Sequence, residues 1–566
     1  MRPVLTVLIV GGYGTFGGRL VHLLQNEPRL RIIVGGRSLA RATAYCSTQT
    51  NARALLVPTA FDRDGDLKQQ LYTLLPDVVV DASGPFQAYG AEPYRLVQAC
   101  IRRRTPYLDL ADGSDFVDGI RKFNADAIAA DVFALSGVSS FPVLTAAVVR
   151  QLSVDMVQVH EICGGIAPSP YAGVGANVIR AIASYAGQPV SLMRDGRIVI
   201  AHPFTESFRY IVAPPGQTPL RPLRFSLVDV PDLKVLAELW PEARAIWMGA
   251  APVPASLHWA LTALAWLVRL KCIKSLLVLA PIMTLATNRL RWGEHRGGMF
   301  VDVTGESASG VPLRRSWHLL AEGDDGPLIP SMAAAAIIHR ILDDNAPQPG
   351  ARAAVCDLEV TDYDILFRGR RLYYGVRGNS PASSTRPLYA RLLGAAWELL
   401  PLELKRLHAV QSRARFAGRC TVKRGNGVFA GLIARAFGFP PSGQDVEVSV
   451  NFEVSGGTET WTRTFNGKSF SSLQSEGRGA FEHLLCERFG PFKFAMALVH
   501  RKAQIHLVLR RWTAFGIPMP LWLGPRSTAH ESALDGKFWF DVEIGHPLVG
   551  LIVHYRGWLD TVGPHP

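Results

Sequence analysis

An apolar run, TVLIV at Thr6–Val10, passes without interruption into the glycine-rich loop GGYGTFGGR, and that junction constrains the chain more than any other stretch. The glycines Gly12, Gly14 and Gly17 fall in the GxGxxG spacing. Each has its own role, respectively a tight turn, close backbone approach to a pyrophosphate, and close helix-to-strand packing. The spacing predicts a strand, a helix over Gly18–Gln25 whose N-terminal amides and dipole favour phosphate, and a second strand at Arg31–Val34. This is the βαβ unit of a dinucleotide-binding domain; the plain alternative is a structural glycine turn. The end of the second strand selects the dinucleotide. An NAD site offers Asp or Glu there to a ribose hydroxyl, whereas this chain has Gly35 and Gly36, then Arg37 and Ser38. No carboxylate repels a 2′-phosphate, Arg37 is able to pair with it and Ser38 to donate to it, so the expected cofactor is NADP. The alternative for Arg37 is a solvated surface residue.

Beyond Arg37 helix-like and strand-like segments alternate. Leu39–Thr48 reads as helix, Ala54–Phe61 as strand, Asp66–Leu75 as helix and Val78–Val80 as a fully buried parallel strand. Small residues Ala82, Ser83 and Gly84 follow, where a doubly wound sheet meets its ligand. Tyr107–Leu110 and Val132–Leu135 continue the pattern to about residue 140. The expected fold class is therefore an α/β Rossmann-type parallel sheet.

The segments GGYGTFGGRL, GGRS, VVVDASGPFQAYG and TPYLDLADGSDF together resemble the saccharopine dehydrogenase-like NADP-binding oxidoreductases, over roughly residues 1–350. The resemblance implies a Rossmann domain (1–140), an inserted α+β substrate or oligomerisation domain (141–322), and a return helix within about 323–350, with DNAPQPGARA as the linker after it. It places Gly12, Gly14, Thr15, Phe16 and Gly17 at the pyrophosphate and Arg37 and Ser38 at the 2′-phosphate. Asp62 falls near the adenine, and Ser83, Gly84, Pro85 and Phe86 beside the nicotinamide. The family does not fix a substrate.

Within the inserted region, LHWALTALAWLV (257–268) and SLLVLAPIMTLAT (275–287) flank a basic cluster, Arg269, Lys271 and Lys274. Each run is too short to span a bilayer. Two readings stay open: helices lying in a membrane interface, or core helices that form a buried layer or a homodimer contact. GNSPASSTRP (378–387) has linker composition, Leu388–Leu407 reads as helix, and the pattern then changes to period two. Val446, Val448, Val450, Phe452 and Val454 alternate with polar residues, and SGGT leads into TWTRTF, which predicts a hairpin. Phe538, Phe540, Val542 and Ile544 share a face. The tail (388–562) is expected to be an antiparallel, β-rich α+β domain that encloses an apolar ligand or has a plain core. It resembles an uncharacterised domain fused to such reductases in bacteria.

The net charge of +13 comes from basic residues scattered without any nucleic-acid motif, so no nucleic-acid partner is expected. The seven cysteines contain no CxxC, which argues against disulfides and zinc. The opening apolar run suits a strand better than a signal peptide, so a cytoplasmic protein is expected, with peripheral contact at the inner membrane face as an open extension. YxxxK, HExxH and GxSxG are absent, and no metal is expected. What remains is hydride chemistry with one proton to move. Tyr89 and Asp112 are the candidate donors, against packing for Tyr89 and a helix cap for Asp112; His160 and Tyr171 have no place that the sequence defines. The expected activity is an NADP-dependent oxidoreductase acting on a carbonyl, imine or activated C=C of an apolar, lipid-like substrate. A non-catalytic NADPH- or lipid-binding protein, and an amino-acid dehydrogenase of the saccharopine type, are the alternatives.

Overall fold

A computed structural model describes residues 4–379 and 386–560. The chain divides into two compact units, Met1–Tyr210 with Leu223–Leu372, and Ile211–Pro222 with Tyr373–Pro566. The first begins with β1 (Leu5–Val10), whose inner residues are fully buried because both faces of the sheet are covered. Helix α1 (Thr15–Leu24) follows, starting earlier than the apolar pattern suggests. Its early start depends on Gly17, where an added Cβ would lie 2.2 Å from the Gly11 carbonyl oxygen. Strand β2 (Leu30–Gly36), helix α2 (Leu39–Thr48), strand β3 (Leu55–Ala60) and helix α3 (Leu67–Leu74) come next. The Asp66 side chain caps α3 by accepting from the Gln69 amide. Strands β4 (Val78–Asp81), β5 (Tyr107–Asp109) and β6 (Phe133–Ser136) complete the core.

The parallel sheet runs in the order Gly350–Ala353, β6, β5, β4, β1, β2, β3. The order in which successive strands are added reverses between β1 and β4, which opens a crevice at their carboxyl ends. Gly350–Ala353 corrects the expected linker: these residues leave helix Ile329–Leu342 and pair in parallel with β6 as a further strand. A mixed sheet carries the inserted region, in the order Ser207–Tyr210, Leu223–Leu227, Ala245–Ala250, Gln158–Ala167, Arg296–Glu306, Pro312–Glu322. The apolar segment forms helix Ala255–Arg269, a short 3-10 turn and helix Ala280–Arg289. No helix among the described residues is long and apolar enough to cross a membrane.

In the second unit eleven strands form one antiparallel sheet, and pairing of Phe492–Arg501 with Gln504–Ala514 closes it into a barrel. The predicted hairpin is present as Gly443–Ser455 with Thr458–Phe465. The helix expected over Leu388–Leu407 is broken into Leu388–Leu393, a 3-10 turn and Leu402–His408. Gly394 at positive φ and Pro401 before the last helix cause the breaks. Most of the 378–387 linker lies outside the described residues.

Candidate active site

The loops after β1 and β4 face each other across the crevice. Gly14 is the N-cap of α1 and no side chain caps that helix, so its first-turn amides lack a side-chain acceptor. Tyr13 folds back over Gly36, where an added Cβ would lie 2.4 Å from the ring, and its hydroxyl accepts from the Ser38 amide at 3.1 Å. Ser38 Oγ caps α2 by accepting from the Arg41 amide at 3.3 Å, which leaves its own O–H free to donate. Arg37 is exposed at the end of β2. Asp62, at the end of β3, is exposed and turns the chain by accepting from the Asp64 amide at 3.1 Å.

At the end of β4, Asp81 is 1 % exposed and accepts from the Ser83 amide (3.0 Å), Ser83 Oγ (2.6 Å) and the Tyr89 hydroxyl (3.1 Å). Burial pushes the Asp81 carboxyl above its usual range and the Tyr89 phenol above its own. The Arg63 guanidinium lies 3.1 Å from the centre of the Tyr89 ring. Pro85 and Phe86 lead from this loop into a 3-10 turn, and the Phe86 ring packs 4.8 Å from that of Tyr89.

Residues 7–135 match the model of the saccharopine dehydrogenase NADP binding domain. The N-terminal domain is an NADP-binding domain of that oxidoreductase type. Residues 400–559 match the model of a domain of unknown function. Among solved structures, apo saccharopine dehydrogenase (L-Glu forming) from Saccharomyces cerevisiae is 14 % identical, with 66 % of this chain and all of that chain covered and a TM-score of 0.48. A myo-inositol dehydrogenase from Corynebacterium glutamicum is 9 % identical over 61 % of this chain and 90 % of its own, at a TM-score of 0.31. A variant meso-DAP dehydrogenase from Clostridium tetani is 12 % identical over 64 % and 98 %, at 0.32. No curated protein matches the chain significantly.

Around the NADP-binding domain the inserted region supplies groups that sequence reading missed. Asn177 Nδ2 donates to the Gly84 carbonyl at 2.7 Å, and Arg19 donates to the carbonyls of Ala172 (3.1 Å) and Gly173 (3.3 Å). An added Cβ on Gly175 would lie 2.8 Å from Thr15 Oγ1. The segment Ala172–Asn177 therefore lies across the loop after β4 and the start of α1. Such a strap is a tertiary feature that no local motif announces.

Asp112 follows β5 and is not the helix cap, since Gly113 occupies that position. Gln87 Nε2, on the β4 loop, donates to its carboxyl at 3.1 Å. Asp112 keeps an exposed edge, and desolvation of the rest of its carboxyl, with the charge of Asp229, pushes it above the usual range; desolvation does the same to Asp229, which accepts from Ser114 Oγ at 2.7 Å. Desolvation, and then the charges of both carboxylates, push the half-buried Tyr185 phenol above its usual range. Of the remaining candidates, the Tyr171 ring lies 4.8 Å from that of His295, and His160 sits within strand Gln158–Ala167, its carbonyl taken by the Arg244 amide.

Proposed function

We propose that the protein moves a hydride between NADPH and a carbonyl, imine or activated C=C of an apolar substrate in the crevice at the carboxyl ends of β1 and β4. The observation that carries this reading is the uncapped α1 N-terminus at the end of a glycine-rich loop, with Arg37 exposed at the end of β2. These residues fit a phosphorylated dinucleotide: Gly12, Gly14, Thr15, Phe16 and Gly17 hold the pyrophosphate, and Arg37 and the free O–H of Ser38 hold the 2′-phosphate. Asp62 borders the adenine side, and Ser83, Gly84, Pro85 and Phe86 border the nicotinamide side. The cofactor, when bound, supplies the hydride. Asp112 holds the proton that balances it, because its carboxyl is accessible and is anchored by Gln87 to the loop after β4. Tyr89 has a different role, since its hydroxyl is already engaged by Asp81 and Ser83; it fixes the nicotinamide loop. The strap Ala172–Asn177 excludes water.

Titration with NADPH and NADH, followed by nicotinamide fluorescence, tests the cofactor half. NADPH binds at least tenfold more tightly, Gly14→Asp abolishes binding, and Arg37→Ala removes the preference; equal affinities in the wild type overturn the assignment. For the proton, Asp112→Asn lowers kcat at least tenfold with the NADPH affinity unchanged, and removes one limb of the kcat pH profile.

The apolar substrate rests on the face formed by helices Ala255–Arg269 and Ala280–Arg289, where Trp259 is 56 % and Ile282 66 % exposed. Arg269, Lys271 and Lys274 lie beside it. Such a face suits an anionic membrane surface, with aromatic rings at headgroup depth. Vesicle flotation checks this: the protein floats with vesicles containing phosphatidylserine, and the double variant Trp259→Glu, Ile282→Glu does not. A face covered by a second copy would instead give a dimer by light scattering that the same variant dissociates, and no flotation.

A further inference from the structure

The barrel of the second unit encloses a cavity of about 360 Å³, within the range of small-molecule sites. Its wall is apolar over most of its area: Val448, Val450 and Phe452 from one strand, and Phe538, Phe540, Val542 and Ile544 from another, face inwards together. A barrel core that merely needed filling would close on its own side chains. Here the side chains leave room.

The two ends differ. Along strand Arg526–Leu534, Ser527 pairs with Ile544 and Glu531 with Phe540, all four lining the cavity. These two levels are about 13 Å apart at ~3.3 Å per residue. The Ser527 level is the mouth. Half-buried Leu523, Pro525 and His546 line the cavity there. The neighbouring rings run from Phe437 to Phe492 (5.4 Å) and on to Phe515 (6.2 Å), which is 78 % exposed. The Glu531 level is closed by the helices Leu388–Leu393 and Leu402–His408. His408 pairs with Glu531 at 2.7 Å, and the Tyr389 ring stacks on His408 at 3.7 Å.

Near this closed end the wall is polar. Arg463 pairs with Glu487 at 3.0 Å, and Ser472 Oγ (2.6 Å) and Gln474 Nε2 (3.3 Å) also donate to Glu487. The charges there are thus matched within the barrel. Of the groups that line the cavity there, two are not: the Tyr389 hydroxyl and Gln474 Oε1, on side chains 0 % and 1 % exposed, have no hydrogen-bond partner among the described residues. Leaving a buried polar group without a partner is unfavourable. One is a donor and the other an acceptor. A ligand hydroxyl answers both, after a side-chain adjustment of the kind that commonly accompanies binding. A carboxylate would meet Glu487 and Glu531 and could not donate to Gln474.

We infer that the C-terminal barrel binds an elongated apolar alcohol, hydrocarbon chain towards the mouth and hydroxyl at Tyr389 and Gln474. The probe is 1-dodecanol, read by displacement of the solvatochromic dye Nile red from the full chain, with dodecane and dodecanoate as comparisons. Dodecanol displaces the dye at least tenfold more effectively than either comparison. Gln474→Leu and Tyr389→Phe each weaken dodecanol about tenfold and leave dodecane unchanged. Ala529→Phe and Val542→Phe, which fill the cavity, abolish dodecanol-sensitive dye binding. Dye on the exposed face of Ala255–Arg269 survives these substitutions and is insensitive to dodecanol. Melting curves and NADPH titration of each variant report whether it is folded. Equal displacement by all three probes, or unaltered dodecanol affinity in folded Gln474→Leu and Tyr389→Phe, overturns the hydroxyl assignment. Unaltered dodecanol binding in a folded filled-cavity variant overturns the site itself.

Discussion

Asp109, the last residue of β5, is fully buried, and one of its oxygens accepts from the Ala111 amide (3.0 Å), Ser136 Oγ (2.9 Å) and the Gly137 amide (2.9 Å). Its other oxygen has no partner among the described residues. The arrangement ties the loops after β5 and β6 together, but burial outweighs the three donors and lifts the carboxyl to about 7. Its proton is therefore bound more tightly in the folded than in the unfolded chain. The associated stability is fully present below the unfolded carboxylate range, declines as pH rises from about 4, and is lost above about 7. Asparagine keeps the acceptor for the three donors and has no charge to bury. Asp109→Asn is thus expected to fold and to be stabilised relative to wild type at pH 8, by at most ~4 kcal/mol for a shift of this size. Part of the pH dependence will remain, because buried Asp232 is likewise lifted to about 7. Chemical denaturation of both proteins at pH 5 and pH 8 checks this; an unchanged pH dependence in the variant would remove Asp109 from the explanation. Tyr89→Phe is a second test at this scale. It removes one donor to Asp81 and loosens the loop after β4, proposed to border the nicotinamide, so KM for NADPH should rise severalfold while kcat falls less; a collapse of kcat with KM unchanged would return Tyr89 to the role of proton donor.

At the scale of elements, α1 and the loop before it are held by contact distance. With an added Cβ on Gly17 2.2 Å from the Gly11 carbonyl oxygen and 2.9 Å from the Gly12 Cα, even alanine must push the helix off β1. Gly17→Ala is expected to abolish NADPH binding and to lower the melting temperature of the first unit, whereas Gly90→Ala, with open space around it, strains only a left-handed backbone position. Comparison of the two by NADPH titration and thermal melting separates a packing requirement from a general cost of losing glycine. These glycines were legible in the sequence because their spacing encodes a local shape. The strands β1 to β6 were legible because short apolar runs with small residues at their ends have few other uses. The strand Gly350–Ala353 was not, since GARA carries no apolar signal and is a strand only because β6 offers it a free edge. The carboxyl cluster of Asp112 and Asp229 was half legible: Asp112 sits in the TPYLDLADGSDF segment, but Asp229 joins it from far along the chain. Asn177 and Arg19 act through main-chain carbonyls, and nothing in their neighbours' identities marks them.

At the scale of the whole chain, the sequence periods change where the architecture changes, from alternating apolar runs and helices to strict period two, and the two units follow that change. Each unit has its own proposed ligand chemistry, and the barrel has a core of its own, including Trp461, Phe465, Phe538 and Tyr555. Units with separate cores unfold as separate cooperative steps unless their interface is large and apolar. A ligand that binds one folded unit stabilises that unit, by about 2.7 kcal/mol at a hundredfold excess over its Kd. Calorimetry of the full chain should therefore resolve two transitions. Saturating NADPH should raise one by a few degrees, and 1-dodecanol the other. Gly14→Asp should cancel the first shift and leave the second, while Gln474→Leu should leave the first and cut the second to about half. Both ligands moving both transitions together would mean that the two sites are coupled through one cooperative structure, and the chain would then have to be read as a single machine in which the barrel's occupant sets the behaviour of the nucleotide site.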